Sequence, residues 1–529
     1  MKGLLDFYGS RADYLDPEHP DRGRPPPASL WHRVLKSCLG ERGSNRVRED
    51  VGADVELLAS GIREQSVEGP RDYLSLLQNF VSLAIIRQLR PETLSLSLLR
   101  DLHSTLAVRC VWRGFSAGEA FHALGTSLAG LAVPEVEPHP LPEGEMLPDR
   151  EGHAVDGAVP HPVLASDSAL VWLFLGRRTG NVRFVRAAAS KMVHALSLFD
   201  RKGEPFFGVG TREGEFDLVD FLSSHLLLFS SFLPIRDGRA VKVEAIICRL
   251  TELLDRSAPE SVLRLPVFRP LLALAMNLLP ETSLLPGDLL PEGSVKGIDP
   301  DTGRVAVSSE EIDLVCTFTG VNTGIGAFKK GSIHIVSFGP HFSPLADCSH
   351  YGQYRSVLKG ASLPDPEYVR REKSFAIGGW IRPVSKSPSH ICVQNMTMTQ
   401  PGDSWLRFTV SGNEEEVVFT AKFLIYKEEE DPIYFVYFVL ADVAHIDKED
   451  PLFPGTLDGY RGNLKKVRFK RGDDTLRFAP QRVTAAGEKK EGRMEVIPLT
   501  GGAQHFWGAD FLVALPFYEA REKHVAVLS

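Results

Sequence analysis

The chain has 529 residues, too many for one compact core, so two or three domains are expected. Apolar residues make up 43% and charged residues 24%, an ordinary balance for a globular, soluble protein. The net charge of −8 is modest and dispersed, which argues against nucleic acid as the main partner, because phosphate binding needs a concentrated basic surface.

The opening "MKGLLDFYGSRADYLDPEHPD" carries one lysine and a short apolar patch broken by Asp6, so no secretory signal is expected. No run approaches the length of a membrane helix. A cytoplasmic protein is expected, with export by a route that needs no signal left open. The six cysteines, Cys38, Cys110, Cys248, Cys316, Cys348 and Cys392, form no CxxC pair and fit reduced thiols better than a disulfide framework. The proline-rich stretch "DPEHPDRGRPPP" cannot hold regular structure.

Helical spacing then dominates. Segments 51–65, 71–89, 92–110 and 116–131 read as helices. Residues 133–162, "VPEVEPHPLPEGEMLPDREGHAVDGAVPHP", are rich in proline and acid and read as a linker or a loop over a cleft. "ASDSALVWLFLGRRTG" and "GNVRFVRAAASKMVHALSLFDRKGEP" together predict a helical hairpin. In the second, Val185, Ala189, Met192, Leu196 and Phe199 share one face, Asn181 caps the start and Gly203 stops the helix. Further helices are predicted at 217–233, 238–255 and 261–278.

Near residue 295 the period changes to two. "WLRFTV" puts Leu406, Phe408 and Val410 on one face; "VVFTAKFLIY" does the same with Phe419, Ala421, Phe423 and Ile425. "IYFVYFVLADV" is apolar on both faces, as a covered central strand would be. "SIHIVSFGP", "RMEVIPL" and "DFLVALPFYE" continue the series. The expected architecture is multidomain α + β: an all-α helical-hairpin domain over 1–295 and an antiparallel β-sandwich over 296–529. The basic stretch "NLKKVRFKRGDDTLRF" alternates like a strand with a solvated face.

No dinucleotide fingerprint, P-loop, nucleophile elbow, HExxH or kinase signature is present. In "IDPDTGRVAVSSEE", Asp299, Asp301 and Glu310 match three positions of a calcium loop, but Arg304 stands where that loop requires glycine, and a turn opening the first strand is expected. The most polar candidate loop is "FGPHFSPLADCSHYG" at 338–352. Asp347, Cys348, His350 and His341 suit zinc by atom type, but their spacing lacks the regularity of structural sites, so neither a metal nor a cofactor is expected.

The hairpin "SALVWLFLGRRTGNVRFVRAAASKMVHALSLFDRKGEP" and the stretch "GIGAFKKGSIHIVSFGPHFSPLADCSHYG" resemble the polysaccharide lyases of the heparinase II/III and chondroitin/hyaluronate lyase type. The resemblance implies an incomplete (α/α) toroid followed by a β-sandwich, and β-elimination on an acidic, uronate-containing glycan. It also implies site residues. Tyr351 would exchange the proton, His350 or His341 would assist, Asn322 would neutralise the sugar carboxylate and Arg355 would hold it. His161, His225 and Tyr73 could add to the site from the helical part. The sequence departs from the family in lacking its closely spaced His-x-His-x-Asp. The alternative is a non-catalytic protein, such as a bacterial effector, that keeps the architecture and binds a glycan or a protein. The same β stretch is similar to conserved proteins of chlamydia-like bacteria.

Overall fold

Asn181 opens the helix that follows it by accepting a 3.0 Å hydrogen bond from the Arg183 amide, and the predicted apolar stripe Val185, Ala189, Met192, Leu196 and Phe199 is buried throughout. These features come from a computed structural model. It describes residues 46–109, 116–133, 162–206, 217–257, 266–279, 286–290, 304–341 and 375–529, with short breaks inside these ranges.

The described helices are α1 (Arg46–Glu64), α2 (Pro70–Leu89), α3 (Leu96–Arg109), α4 (Ser116–Leu128), α5 (Pro162–Thr179), α6 (Val182–Ala195), α7 (Leu218–Ser231), α8 (Ala240–Asp255) and α9 (Phe268–Asn277). None is long and apolar enough to cross a membrane. α1 packs on α2 and α2 on α3; the run from α4 to α8 packs neighbour on neighbour; α2, α4, α5 and α7 also pack in succession, and α9 touches α2, α5 and α7. The stretch read as a buried helix, "SALVWLFLG", lies in α5, where Trp172 stacks on Phe184 of α6 at 5.0 Å. The α5–α6 hairpin is tight because Gly176 has no side chain: a Cβ there would stand 2.6 Å from Val185 Cγ2 and 3.1 Å from the Asn181 carbonyl.

Helix starts differ from expectation by a few residues, α1 beginning at Arg46 rather than 51 and α3 at Leu96 rather than 92, and the end of α6 differs more. Gly203 does not stop α6, which ends at Ala195 and tightens into a 3-10 turn over Leu196–Leu198 before Phe199 becomes extended. The cause is Asp200. Its carboxylate accepts the amides of Lys202 and Glu204 at 2.8 and 2.9 Å, building a turn whose third residue, Gly203, sits at φ +81°.

The strands follow and form two antiparallel sheets. The first runs in the order β1 (Arg304–Ser308), β2 (Ile312–Thr317), β3 (Gly326–Lys330), β4 (Ile333–His341), β9 (Ile433–Leu440), β16 (Phe511–Phe517), β15 (Met494–Pro498), β11 (Arg461–Leu464). The second runs β10 (Val443–His445), β12 (Val467–Arg471), β13 (Asp474–Val483), β17 (Lys523–Leu528), β8 (Val417–Ile425), β7 (Ser404–Gly412), β6 (Ile391–Thr399), β5 (Phe375–Pro383), with β14 (Lys489–Glu491) beside β13. The two share one core: Ile312, Phe328, Phe338, Phe435 and Tyr437 from the first sheet pack with Phe408, Val410, Phe419 and Phe478 from the second.

β9 behaves as its sequence predicts. Phe435, Tyr437 and Val439 face the shared core, while Val436 and Phe438 pack on the other side with Leu499, Ala509, Leu512 and Ala514. A strand covered on both faces has no reason to alternate. In β12 Val467 and Phe469 are buried and Arg468 and Lys470 exposed, so the basic stretch is a solvated face. By its internal contacts the chain divides into two units, 1–205 with 212–295, and 206–211 with 296–529. Phe206 belongs to the second, buried against Val315 and Ala327.

Candidate functional site

Of the predicted site residues, His341 is the last residue of β4, in register with Tyr434 of β9. The His341 side chain and Asn322, His350, Tyr351 and Arg355 lie outside the described residues, as do Asp347, Cys348 and His161.

Two candidates from the helical unit are corrected. His225 is 0% exposed in the middle of α7, its ring 4.0 Å from that of Phe221 and bracketed by Phe199 and Phe229. Burial pulls its pKa down to about 3; the Phe221 carbonyl opposes that shift, and the charges of Arg269 and His194 add to it. The neutral ring gives Nδ1–H to the Phe221 carbonyl at 2.9 Å. It is a core histidine that no substrate reaches. Tyr73 is likewise buried, within α2. The sequence placed both on helices but could not tell which helix face turns inward, since histidine and tyrosine suit either.

The helical unit also holds a charged centre. Arg269 of α9 reaches Asp167 of α5 through two hydrogen bonds of 2.7 Å; on its other side it pairs with Asp220 of α7 and donates to Ser223 Oγ at 3.1 Å. Burial alone would lower the Arg269 pKa, but Asp167 and Asp220 hold it above the usual arginine value. A cation so enclosed ties three helices together.

His103 of α3 and His122 of α4 form a half-buried pair with ring centroids 4.9 Å apart. Thr126 Oγ1 donates to the His122 carbonyl at 2.8 Å, so it must accept from His103 Nε2, also at 2.8 Å, and this assigns the proton of His103 to Nε2. Burial lowers both pKa values, and His122 lowers that of His103 further. Both rings therefore stand neutral at pH 7 and able to accept a proton.

In the second unit, Arg482 of β13 faces His524 of β17 across the sheet, and Glu522 is ion-paired with Arg482. Glu522 Oε1 lies 3.2 Å from His524 Nε2. Burial, and then the charge of Arg482, bring the His524 pKa down to about 3, with the Pro516 carbonyl opposing. The cluster borders a cavity of about 250 Å³ lined by Arg482, Glu491, Arg493, Pro516 and His524.

Among solved structures the chain is similar to several polysaccharide lyases. Against the heparan sulfate lyase HepC from Pedobacter heparinus the identity is 10%, covering 99% of this chain and 72% of that one, with a TM-score of 0.43. Against a Paenibacillus xanthan lyase the values are 8%, 100%, 57% and 0.47. Against the Streptomyces coelicolor A3 chondroitin AC lyase they are 10%, 99%, 79% and 0.47. At TM-scores below 0.5 these likenesses establish neither a shared fold nor a shared activity. No family model and no curated protein sequence matches the chain.

Sequence reading missed all three clusters. His103 and His122 sit 19 positions apart, and only the packing of α3 and α4 brings their rings together. Arg482 carried one legible signal: "LRFAPQR" alternates until an arginine takes an inward position. Among the described residues no group of three or more histidine, cysteine or carboxylate side chains is arranged to hold a metal.

Proposed function

We propose that the chain is a carbohydrate-active protein that acts on an acidic, uronate-containing glycan by β-elimination. The reading supposes a helical domain over 1–295 forming an incomplete toroid and a β-sandwich over 296–529. What carries it is the succession of paired helices and then antiparallel sheets, in the order that the resembling segments 168–205 and 324–352 imply. Fold alone does not select a chemistry, so the proposal stands on the reaction's demands.

Removing the C5 proton of a uronate builds negative charge on its carboxylate, which must be met by donors. In this proposal Tyr351 takes the proton, the C4–O bond breaks as the C4–C5 double bond forms, and Tyr351 returns the proton to the leaving oxygen. His350 or His341 assists, Asn322 neutralises the carboxylate and Arg355 holds the sugar. The test is incubation of the full chain with a panel of uronate polymers, following the ultraviolet absorbance of the unsaturated product. The expected result is a rising signal that Tyr351→Phe abolishes without changing stability. A flat trace across the panel removes the lyase reading.

A second reading, binding of a glycan or a protein without catalysis, is favoured by the burial of His225 and Tyr73, which withdraws two groups the helical unit could have lent to a reaction. It predicts saturable binding to the same polymers with no product.

A further inference from the structure

Along β13 and β17 the inner face of the second sheet is apolar until the last pair of positions. Along β13 the inward residues are Leu476, Phe478, Pro480 and then Arg482; along β17, running the other way, they are Leu528, Ala526 and then His524. Because Arg482 and His524 are cross-strand partners, a guanidinium and an imidazole end both rows together. Glu522 is fully buried beside them, and the Phe517 ring of the first sheet meets His524 edge-on at 4.2 Å.

Such a cluster is costly to desolvate, and apolar side chains of similar volume would close this end of the core without that cost. The neighbouring cavity supplies a reason to keep it. Its volume of about 250 Å³ is room for roughly eight water molecules at liquid density, or for one small organic ligand. His524, 2% exposed and on the cavity wall, has a hydrogen bond at neither ring nitrogen: Glu522 and the Pro516 carbonyl lie near without the alignment one requires. A buried imidazole left in this way is a group awaiting a partner.

The charge of the surroundings selects the partner. Glu491, the carboxylate on the wall, is already met by Lys465 at 2.7 Å and Arg493 at 3.2 Å, and Glu522 is met by Arg482. Among the described residues, the cavity wall itself carries two guanidiniums, Arg482 and Arg493, against the one carboxylate of Glu491. We propose that this cavity binds a small ligand through an oxyanion group, a carboxylate or a sulfate, with Arg493 and Arg482 as its cationic partners and His524 as a hydrogen-bond partner. Arginine suits either group because its planar fork matches two oxygens at once. The site requires no elimination chemistry, so a chain that cleaves no glycan would still bind here.

The test is calorimetric titration of the full chain with sodium glucuronate, sodium sulfate and neutral glucose. The expected result is saturable heat with at least one of the two anions and none with glucose; which anion responds separates the carboxylate source from the sulfate source. Arg493→Met, at a side chain 38% exposed, is expected to weaken that binding about tenfold, the scale of one lost charge-assisted hydrogen bond. In the unmutated chain, the His524 ring resonances are expected to shift as the binding anion is added. Absence of heat with both anions, equal binding of glucose, an unchanged Kd in Arg493→Met or unmoved His524 resonances would overturn the proposal.

Discussion

Arg269 and Asp167 stand 102 residues apart in sequence and are joined by two parallel hydrogen bonds of 2.7 Å, with the two side chains 0% and 1% exposed. The pair links α9 to α5, and Asp220 extends it to α7. Charges this deep are tolerable only while all partners remain.

Removing the cation is therefore worse than removing the whole cluster. Arg269→Met removes the guanidinium that Asp167 and Asp220 share and is expected to cost about 3–5 kcal/mol in denaturant unfolding. Adding Asp167→Leu and Asp220→Leu to that variant is expected to restore a large part of the loss. If Arg269→Met unfolds like the unmutated chain, the ion pair is not holding the helices.

The α5–α6 hairpin makes a steric prediction. Gly176→Ala would press its Cβ against Val185 Cγ2, and an overpacked contact of this kind costs about 1–3 kcal/mol. Val185→Ala in the same chain opens the space, so the double variant is expected to be less unstable than the sum of the two single changes. A double-mutant cycle by thermal unfolding reads the coupling, and strict additivity would contradict the close approach.

His225 predicts a pH dependence. Its folded pKa is about 3, below the value near 6.5 of the unfolded chain, so the unfolded state binds the proton first. The contribution is complete above pH 6.5 and is lost progressively as pH falls from there toward about 3, the unfolded state gaining about 1.4 kcal/mol per pH unit within that window. His524 acts in the same direction over the same window. His225→Leu is expected to flatten the fall of stability between pH 6 and pH 4 by about the slope of one proton, measured by urea unfolding at each pH. An unaltered slope would mean that His225 titrates normally.

The histidine pair is testable through its hydroxyl. Thr126→Val keeps the volume but removes the acceptor of His103 Nε2–H, and losing a hydrogen bond of this kind is expected to cost about 1 kcal/mol. The His103 ring resonances should move while those of His524, in the other unit, stay in place. Stationary His103 signals would contradict the assigned tautomer.

Local pattern determined much of what the chain builds. The stripe from Val185 to Phe199, the Asn181 cap, the two-sided β9 and the alternating faces of β7 and β12 all follow from side chains spaced at 3.6 or 2 residues, a property each short segment carries by itself. Tertiary structure alone decided the rest. It turned His225 and Tyr73 inward, set His103 against His122, and brought Arg269 to Asp167 and Arg482 to His524. Those pairings depend on which helix face or strand register meets which, and that choice is made by burial summed over the whole core. The end of α6 shows the division on a small scale. Periodicity carried the apolar stripe through to Phe199, but the Asp200 carboxylate, by capturing two amides, ended the helix sooner.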